Sequence, residues 1–196
     1  MSTPLVLSFD TSAAHVAAAL LCGDEIVVRK VEEMKRGQAE RLMPMLEEVL
    51  AEGGKRFADL DAIGVGIGPG NFTGIRISVS AARGLALGLG IPAVGVSSFD
   101  AIEAGNSRIG VAVVPGPRGQ GYLSPRKGAP YLATEDELID IMHDVPLLTP
   151  KADSLVDQIA RLAAQRYQDN PTRPAPLYIK PADAAPPKDP APVILP

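Results

Sequence analysis

Apolar positions in the first half of the chain follow two spacings, which predict a mixture of strands and helices. Short apolar runs indicate strands, and apolar positions three to four residues apart indicate helices. The predicted order is strand, strand, strand, helix, strand, helix, strand. These seven elements span residues 4–10, 15–21, 25–32, 38–52, 60–65, 73–89 and 93–96. The turn at residues 22–24 predicts that the second and third strands form an antiparallel hairpin.

The helix predicted over residues 73–89 carries little charge. Arg76 and Arg83 are its charged residues, and the others are apolar or small. A helix that covers one face of a sheet normally keeps a broad polar stripe toward water. We therefore predict that this helix packs against its own sheet on one side and against another protein on the other. The alternative is that the second half of the same chain covers it.

The predicted partner surface combines this helix with the one over residues 38–52, where methionines beside the apolar stripe suit an adaptable contact. Its predicted residues are Leu42, Met43, Met45, Phe72, Arg76, Val79, Ala82, Arg83 and Ala86. The two arginines are expected to meet acidic groups of the partner.

The pattern is weaker beyond residue 98. The predicted elements there are a helix at residues 98–104, a strand at 109–114, a helix ending near 143, a strand at 145–148 and a helix over 153–168. Thr134 and Glu137 form a capping box that opens the helix ending near residue 143. Nine prolines between residues 171 and 196 exclude a continuous helix or central strand there. Three regions are predicted: an N-terminal subdomain (1–98), a smaller α/β C-terminal subdomain (99–180) and a proline-rich extended tail (181–196).

The composition limits the classes of protein to which the chain can belong. Its 196 residues are 46% hydrophobic and 21% charged, which indicates a globular fold with a sizeable core. A net charge of -4 argues against a stand-alone nucleic-acid binder, which would carry a basic surface. The single cysteine, Cys22, excludes an internal disulfide and favours a cytoplasmic location. No apolar run in the sequence is long enough to span a membrane.

One arrangement of residues is typical of a phosphate site, because a strand, a glycine-rich turn and a helix start can together hold an anion. Asp10 and Thr11 after the first strand, with Gly68 and Gly70 after the fourth, are the candidates. An actin-like ATP site also needs a second turn, Asp-x-Gly, and no aspartate here is followed by glycine two residues later. We interpret the four residues as a vestigial phosphate turn. The alternative is an ATP-dependent kinase or hydrolase that uses Asp10 and the glycine loop.

The sequence suggests no other catalytic or metal-binding group. His15 and His143 lie in different halves of the chain, and neither has a neighbour at metal-ligand spacing. No serine lies in a Gly-x-Ser-x-Gly setting. We therefore predict no catalytic residue, no metal site and no cofactor.

Six segments of the sequence resemble the TsaB (YeaZ) family. They are SFDTS (8–12), QAERLMP (38–44), GPGNFTGIR (68–76), ARGLA (82–86), GVSS (95–98) and PLYIK (176–180). The order of the first seven elements is also that of one half of the sugar-kinase and actin superfamily. The resemblance implies an actin/sugar-kinase-like (ASKHA) α/β fold with two subdomains, of which the second is shortened and degenerate here.

The same resemblance implies a role in tRNA modification. Members of the family are non-catalytic subunits of the bacterial machinery that places threonylcarbamoyl on N6 of adenosine 37 in tRNAs that read ANN codons. They pair through two helices of the first half with the catalytic paralogue TsaD, the ATPase TsaE joins the assembly, and the same helices allow a homodimer. Contact with tRNA is then indirect, through the complex. This chain departs from the family pattern at Gln38 and at residues 115–118, where histidine and an Asp-Ala-Arg turn are usual.

Overall fold

The structure is a computed structural model that describes residues 3–125, 128–169 and 171–179. Within these ranges the chain forms nine strands and five α-helices. In chain order they are β1 (Leu5–Asp10), β2 (His15–Cys22), β3 (Glu25–Glu33), α1 (Gln38–Glu52), β4 (Ala62–Gly66), α2 (Phe72–Leu89), β5 (Ala93–Val96), α3 (Ser98–Ala104), β6 (Val111–Pro115), β7 (Gly121–Ser124), β8 (Tyr131–Ala133), α4 (Glu135–Asp144), β9 (Leu147–Leu148) and α5 (Ala152–Arg166). None of these helices is long and apolar enough to cross a membrane. The tail predicted over residues 181–196 lies outside the described residues.

The first sheet has five strands in the order β3-β2-β1-β4-β5. β2 runs antiparallel to both β1 and β3, which confirms the predicted hairpin. β1, β4 and β5 are parallel, and Leu7 of β1 lies opposite both Leu20 and Ile63. The carboxyl ends of β1 and β4 are therefore neighbours, and the turns that follow them come together at one edge of the sheet.

Helices cover both faces of this sheet, so all six residues of β1 are buried. α1 and α2 cover one face, where Leu7 and Phe9 pack. α5 covers the other face, where Val6 packs and Ser8 Oγ donates a hydrogen bond of 2.9 Å to the Val156 carbonyl oxygen. No sequence pattern indicated that α5, which follows the second sheet in the chain, would pack on the first sheet.

The second sheet has four strands in the order β8-β7-β6-β9. The sequence pattern does not predict β7 and β8, because strands of four and three residues are too short to show a clear alternation. Leu138 and Ile141 of α4 pack against the buried residues on one face of this sheet. Phe99 and Ile102 of α3 pack against the buried residues on the other face. Because α3 also packs against the first sheet, it lies between the two sheets.

The other predicted elements are present, with ends that differ from the prediction by a few residues. α1 begins at Gln38 and ends at Glu52, as predicted. The capping box at the start of α4 is confirmed, since Thr134 Oγ1 accepts a hydrogen bond from the Glu137 backbone N–H. Glu137 Oε2 in turn accepts a hydrogen bond of 2.7 Å from the Thr134 backbone N–H.

Arg41 connects α1 to the edge strand β3 through two carboxylates. Its Nη2 lies 2.5 Å from Glu32 Oε1 on β3, and its Nη1 lies 2.7 Å from Glu48 Oε1 on α1. Hydrogen bonds from the Arg41 guanidinium lower the pKa of the Glu32 carboxyl and lower that of Glu48 to about 2. A carboxyl whose pKa is lower in the folded state than in the unfolded state stabilises the fold at neutral pH and loses this contribution in acid.

We expect this stabilisation to disappear on acidification. The ordinary pKa of Glu48 is 4.5, so its contribution is complete above pH 4.5 and is lost as the pH falls toward about 2. Arg41→Gln should melt slightly below the wild type at neutral pH, because exposed ion pairs stabilise weakly, and the difference should close in acid. Arg36→Gln, which removes an exposed arginine just before α1, is the control. A difference in melting temperature that persists or widens in acid would contradict the assignment.

Candidate interaction surface and adjoining cleft

Asp10 ends β1 fully buried, and its carboxylate organises the turn that follows. Its Oδ1 accepts hydrogen bonds from Ser12 Oγ at 2.7 Å and from the Ser12 backbone N–H at 3.1 Å. His15 Nε2 lies 3.3 Å from the same oxygen. The other oxygen fills the space that a side chain at Gly66 would need. The aspartate of the candidate phosphate turn is therefore occupied by its own chain.

The glycine loop between β4 and α2 packs directly on this turn. The Asn71 backbone N–H donates a hydrogen bond of 2.6 Å to the Ser12 carbonyl oxygen, and Thr11 Oγ1 donates one of 2.6 Å to the Gly74 carbonyl oxygen. A Cβ at Gly70 would overlap the carbonyl oxygen of Ser12, and a Cβ at Gly74 would overlap that of Thr11. Glycine is required at both positions because only a residue without a side chain lets the two backbones approach this closely.

The candidate residues of a phosphate turn are thus brought together, but they contact one another. Gly68 has a φ of 94°, and its carbonyl oxygen accepts a hydrogen bond of 2.8 Å from the Ser98 backbone N–H at the start of α3. The Asn71 side chain caps α2 by accepting a hydrogen bond of 2.9 Å from the Gly74 backbone N–H. These contacts fix the residue at which α2 begins and the direction in which it leaves the sheet.

Four residues that the sequence pattern assigns to a partner surface lie in the core of the chain itself. Leu42, Met45, Val79 and Ala82 are at most 2% exposed. Each lies on the buried side of α1 or α2. The prediction is corrected for these four residues, because helical spacing identifies an apolar stripe without indicating whether the sheet or a partner covers it.

The two arginines of α2 contact the C-terminal segment of the same chain, residues 171–179. Arg83 Nε donates a hydrogen bond of 2.6 Å to the Pro174 carbonyl oxygen. Arg76 Nε donates one of 2.9 Å to Tyr178 Oη, and its guanidinium carbon lies 3.8 Å from the centre of the Phe72 ring. The Phe72 and Tyr178 rings are stacked with their centres 4.9 Å apart. Within the chain, the two arginines thus meet a carbonyl oxygen, a hydroxyl and aromatic rings. That they also meet acidic groups of a partner stays a prediction.

The side of α2 that points away from the sheet, which we call the α2 outer face, is flanked along one edge by Arg76 and Arg83 and carries no other charged residue. It consists of Thr73, Ile77, Ser80, Ala81, Gly84, Leu87 and Gly88. Leu87 is 77% exposed, and a Cβ placed at Gly84 or Gly88 would meet no other atom within 4 Å. Apart from Leu87 and the partly buried Ile77, the α2 outer face presents small side chains and bare helix backbone, which allow another helix to approach closely.

α1 contacts α2. Of the nine predicted surface residues, Met43, Phe72 and Arg76 are more than one-third exposed, and Ala86 is partly buried against the core. None of the nine predicted residues belongs to the α2 outer face, and its small residues Ser80, Gly84 and Gly88 are among those missed. They could have been found from their spacing, since small residues recur every fourth position at 80, 84 and 88.

A cleft of about 1010 Å³ adjoins the start of α2, between the carboxyl end of the first sheet and the second sheet. The turns after β1 and β4 line one side, and Val114 and Tyr122 of the second sheet line the other. Leu177 of the C-terminal segment also lines it. The polar residues along it are Ser12, His15, Lys35, Gln38, Asn71 and Ser98. Within the described ranges, no three His, Cys, Asp or Glu side chains cluster as a metal site would require.

Comparison with known proteins identifies the family of this chain. The family model described as "TsaD: tRNA N6-adenosine threonylcarbamoyltransferase" matches residues 29–178, which is well over half of the chain. The chain belongs to this family. The predicted membership of the TsaB (YeaZ) group is confirmed by the TsaB relatives and the YeaZ structure described next.

Two curated TsaB proteins match half of the chain or somewhat more. The chain is 36% identical over 100 residues to "tRNA threonylcarbamoyladenosine biosynthesis protein TsaB" of Escherichia coli (strain K12). This alignment covers 51% of this chain and 43% of that protein. It is 33% identical over 120 residues to the protein of the same name from Bacillus subtilis (strain 168), which covers 60% of this chain and 52% of that protein. The chain thus spans about half the length of the curated relatives that it matches.

A solved structure shows the same fold. "YeaZ from Pseudomonas aeruginosa" matches with a TM-score of 0.69 and 24% sequence identity, over 91% of this chain and 100% of that chain. Together with the strand order of the first sheet, this match confirms the predicted actin/sugar-kinase-like α/β fold of the TsaB (YeaZ) group. At this level of sequence identity, the likeness concerns the fold alone.

We expect alanine to change stability in opposite directions at two glycines of α2. Gly74→Ala places a methyl group on the Thr11 carbonyl oxygen, and overpacking of this kind costs about 1–3 kcal/mol. Gly84→Ala places a methyl group in open solvent and improves helix propensity by about 0.5–1 kcal/mol. Urea unfolding gives the free energy of unfolding of both variants. A similar effect at the two positions would contradict the close contact between the turn and the loop.

Proposed function

We propose that this chain is a non-catalytic scaffold subunit of the cytoplasmic machinery that transfers threonylcarbamoyl to N6 of adenosine 37 in tRNAs that read ANN codons. It binds the catalytic paralogue TsaD through α1 and α2, and the ATPase TsaE joins the assembly. Family membership and similarity to TsaB biosynthesis proteins support this role. The observation that carries the proposal is the uncharged α2 outer face.

The α2 outer face has the composition of a surface that another helix covers. A helix whose outer side faces water normally carries charged side chains there. Here Leu87 is 77% exposed, and its neighbours on the α2 outer face are glycine, alanine and serine. Small residues leave grooves between ridges of side chains, and the larger side chains of a facing helix pack into such grooves. The surface suits a protein better than tRNA, because phosphate groups are bound mainly by lysine and arginine.

A second copy of the chain can cover the same surface in the absence of TsaD. α1 contacts α2, and a twofold axis through this surface would bring identical helices together. The homodimer and the complex with TsaD then exclude each other. Contact with tRNA is made through the complex, in line with the net charge of -4 of the chain.

The geometry gives less support to a catalytic role. In the alternative, an ATP-dependent kinase or hydrolase would hold phosphates with Asp10 and the Gly68–Gly70 loop. Asp10 already accepts hydrogen bonds from Ser12, and the loop is hydrogen-bonded to the same turn. A nucleotide phosphate would have to displace these contacts. ATP turnover by the purified chain that is lost in Asp10→Asn would favour the alternative.

We expect Gly84→Glu to weaken binding to TsaD about thirtyfold or more, because an unpaired charge at the centre of a helix interface costs about 2 kcal/mol or more. Gly84 has no neighbour within 4 Å at its Cβ position, and glutamate has a higher helix propensity than glycine, so the variant should melt at or slightly above the wild-type temperature. Isothermal titration with purified TsaD measures the affinity.

Ile139→Glu is the matched control for this experiment. It also adds one glutamate at an exposed helical position, since Ile139 is 48% exposed on α4, beside the second sheet. Its affinity for TsaD should equal that of the wild type. An unchanged affinity of Gly84→Glu, or an equal loss in both variants, would contradict the proposed surface.

A further inference from the structure

We propose that the cleft between the two sheets binds a small, largely apolar molecule that carries one negative charge. This site is distinct from the α2 outer face, and the inference does not depend on the proposed binding of TsaD. It rests on the position, the wall and the charge of the cleft.

The position and size of the cleft suit a small molecule. It lies beyond the carboxyl ends of β1 and β4, where the chain leaves these neighbouring strands in different directions. Open α/β sheets bind ligands in crevices of this kind. Its volume of about 1010 Å³ is that of a ligand pocket rather than of a single water site.

The wall of the cleft is mostly apolar. Ile75, Val114, Leu155 and Leu177 contribute aliphatic side chains, and Tyr122 contributes an aromatic ring. These residues come from α2, the second sheet, α5 and the C-terminal segment, so the wall encloses a ligand from several sides. A ring system or an aliphatic chain would replace water along this wall, which is favourable for an apolar ligand.

The charge of the cleft selects the sign of the ligand. Among the described residues that line it, Lys35 is the single lysine or arginine, and there is no aspartate or glutamate. This contrasts with the net charge of -4 of the whole chain. Gln38 and Asn71 line the cleft as well and can donate further hydrogen bonds. One carboxylate or sulfonate near Lys35 therefore fits, and a cationic ligand would find no counter-charge.

A polyphosphate fits this site poorly. The buried Asp10 carboxylate lies directly behind Ser12 and His15, which both line the cleft. It therefore disfavours any anionic group on that side and leaves only the surroundings of Lys35 for the several phosphate charges of such a ligand. Lys35 alone would have to balance those charges. The favoured class is thus a monoanion with an apolar body, and not a nucleoside triphosphate.

Two fluorescent probes test the inference on the full chain. Anilinonaphthalenesulfonate carries one sulfonate, and N-phenylnaphthylamine has the same rings without it. We expect both to bind with increased fluorescence, and decanoate to displace anilinonaphthalenesulfonate at lower concentration than magnesium ATP does. Lys35→Gln should lower the affinity for anilinonaphthalenesulfonate about fivefold, which is the upper range for an exposed ion pair. It should leave the affinity for N-phenylnaphthylamine unchanged.

Two further variants complete the test. Lys55→Gln removes an exposed lysine beyond the end of α1 and should leave the affinity for both probes unchanged. Ala14→Trp places a large side chain in the cleft from an exposed turn position. It should lower the affinity for both probes about tenfold or more, because the indole ring would overlap the bound probe. The inference would be overturned if neither probe bound, or if Lys35→Gln and Lys55→Gln had equal effects. It would also be overturned if Ala14→Trp had no effect, or if magnesium ATP displaced the probe at lower concentration than decanoate.

Discussion

The close contact between the turn after β1 and the glycine loop after β4 is the constraint on which the rest of the structure depends. Two hydrogen bonds of 2.6 Å join these segments, and glycines at 70 and 74 allow the backbones to approach. The contact sets the start and direction of α2, and so decides which side of that helix faces solvent. The same two turns line the cleft. A segment that resembles a phosphate-binding loop therefore positions a helix.

The C-terminal segment holds the two arginines at the edge of the α2 outer face. Arg76 and Arg83, the charged residues of α2, both reach residues 171–179, and the Leu177 backbone N–H donates a hydrogen bond of 2.8 Å to the Ile67 carbonyl oxygen beside β4. The segment holds one flank of α2 and lines the cleft with Leu177. The guanidinium groups are thus held along this flank, beside the seven uncharged residues of the α2 outer face.

Local sequence patterns predict most of the elements, and long-range contacts explain what they miss. The capping box of Thr134 and Glu137 is confirmed because it depends on neighbouring residues alone. The prediction for Val79 and Ala82 had to be corrected, since spacing does not show which surface covers an apolar stripe. The contact between Arg76 and Tyr178 joins residues 102 positions apart, and no local pattern encodes it. The packing of α5 on the first sheet is likewise a long-range contact that no local pattern predicts.

The most direct test of the central claim, that the α2 outer face binds the partner, is the protection of one thiol. Cys22 is the single cysteine, so Leu87→Cys in a Cys22→Ser background carries one reporter on the α2 outer face. Its alkylation rate is measured with and without saturating TsaD. Ile139→Cys in the same background is measured in parallel as the control. The account predicts strong slowing at position 87 and an unchanged rate at position 139. An unchanged rate at position 87 would contradict it.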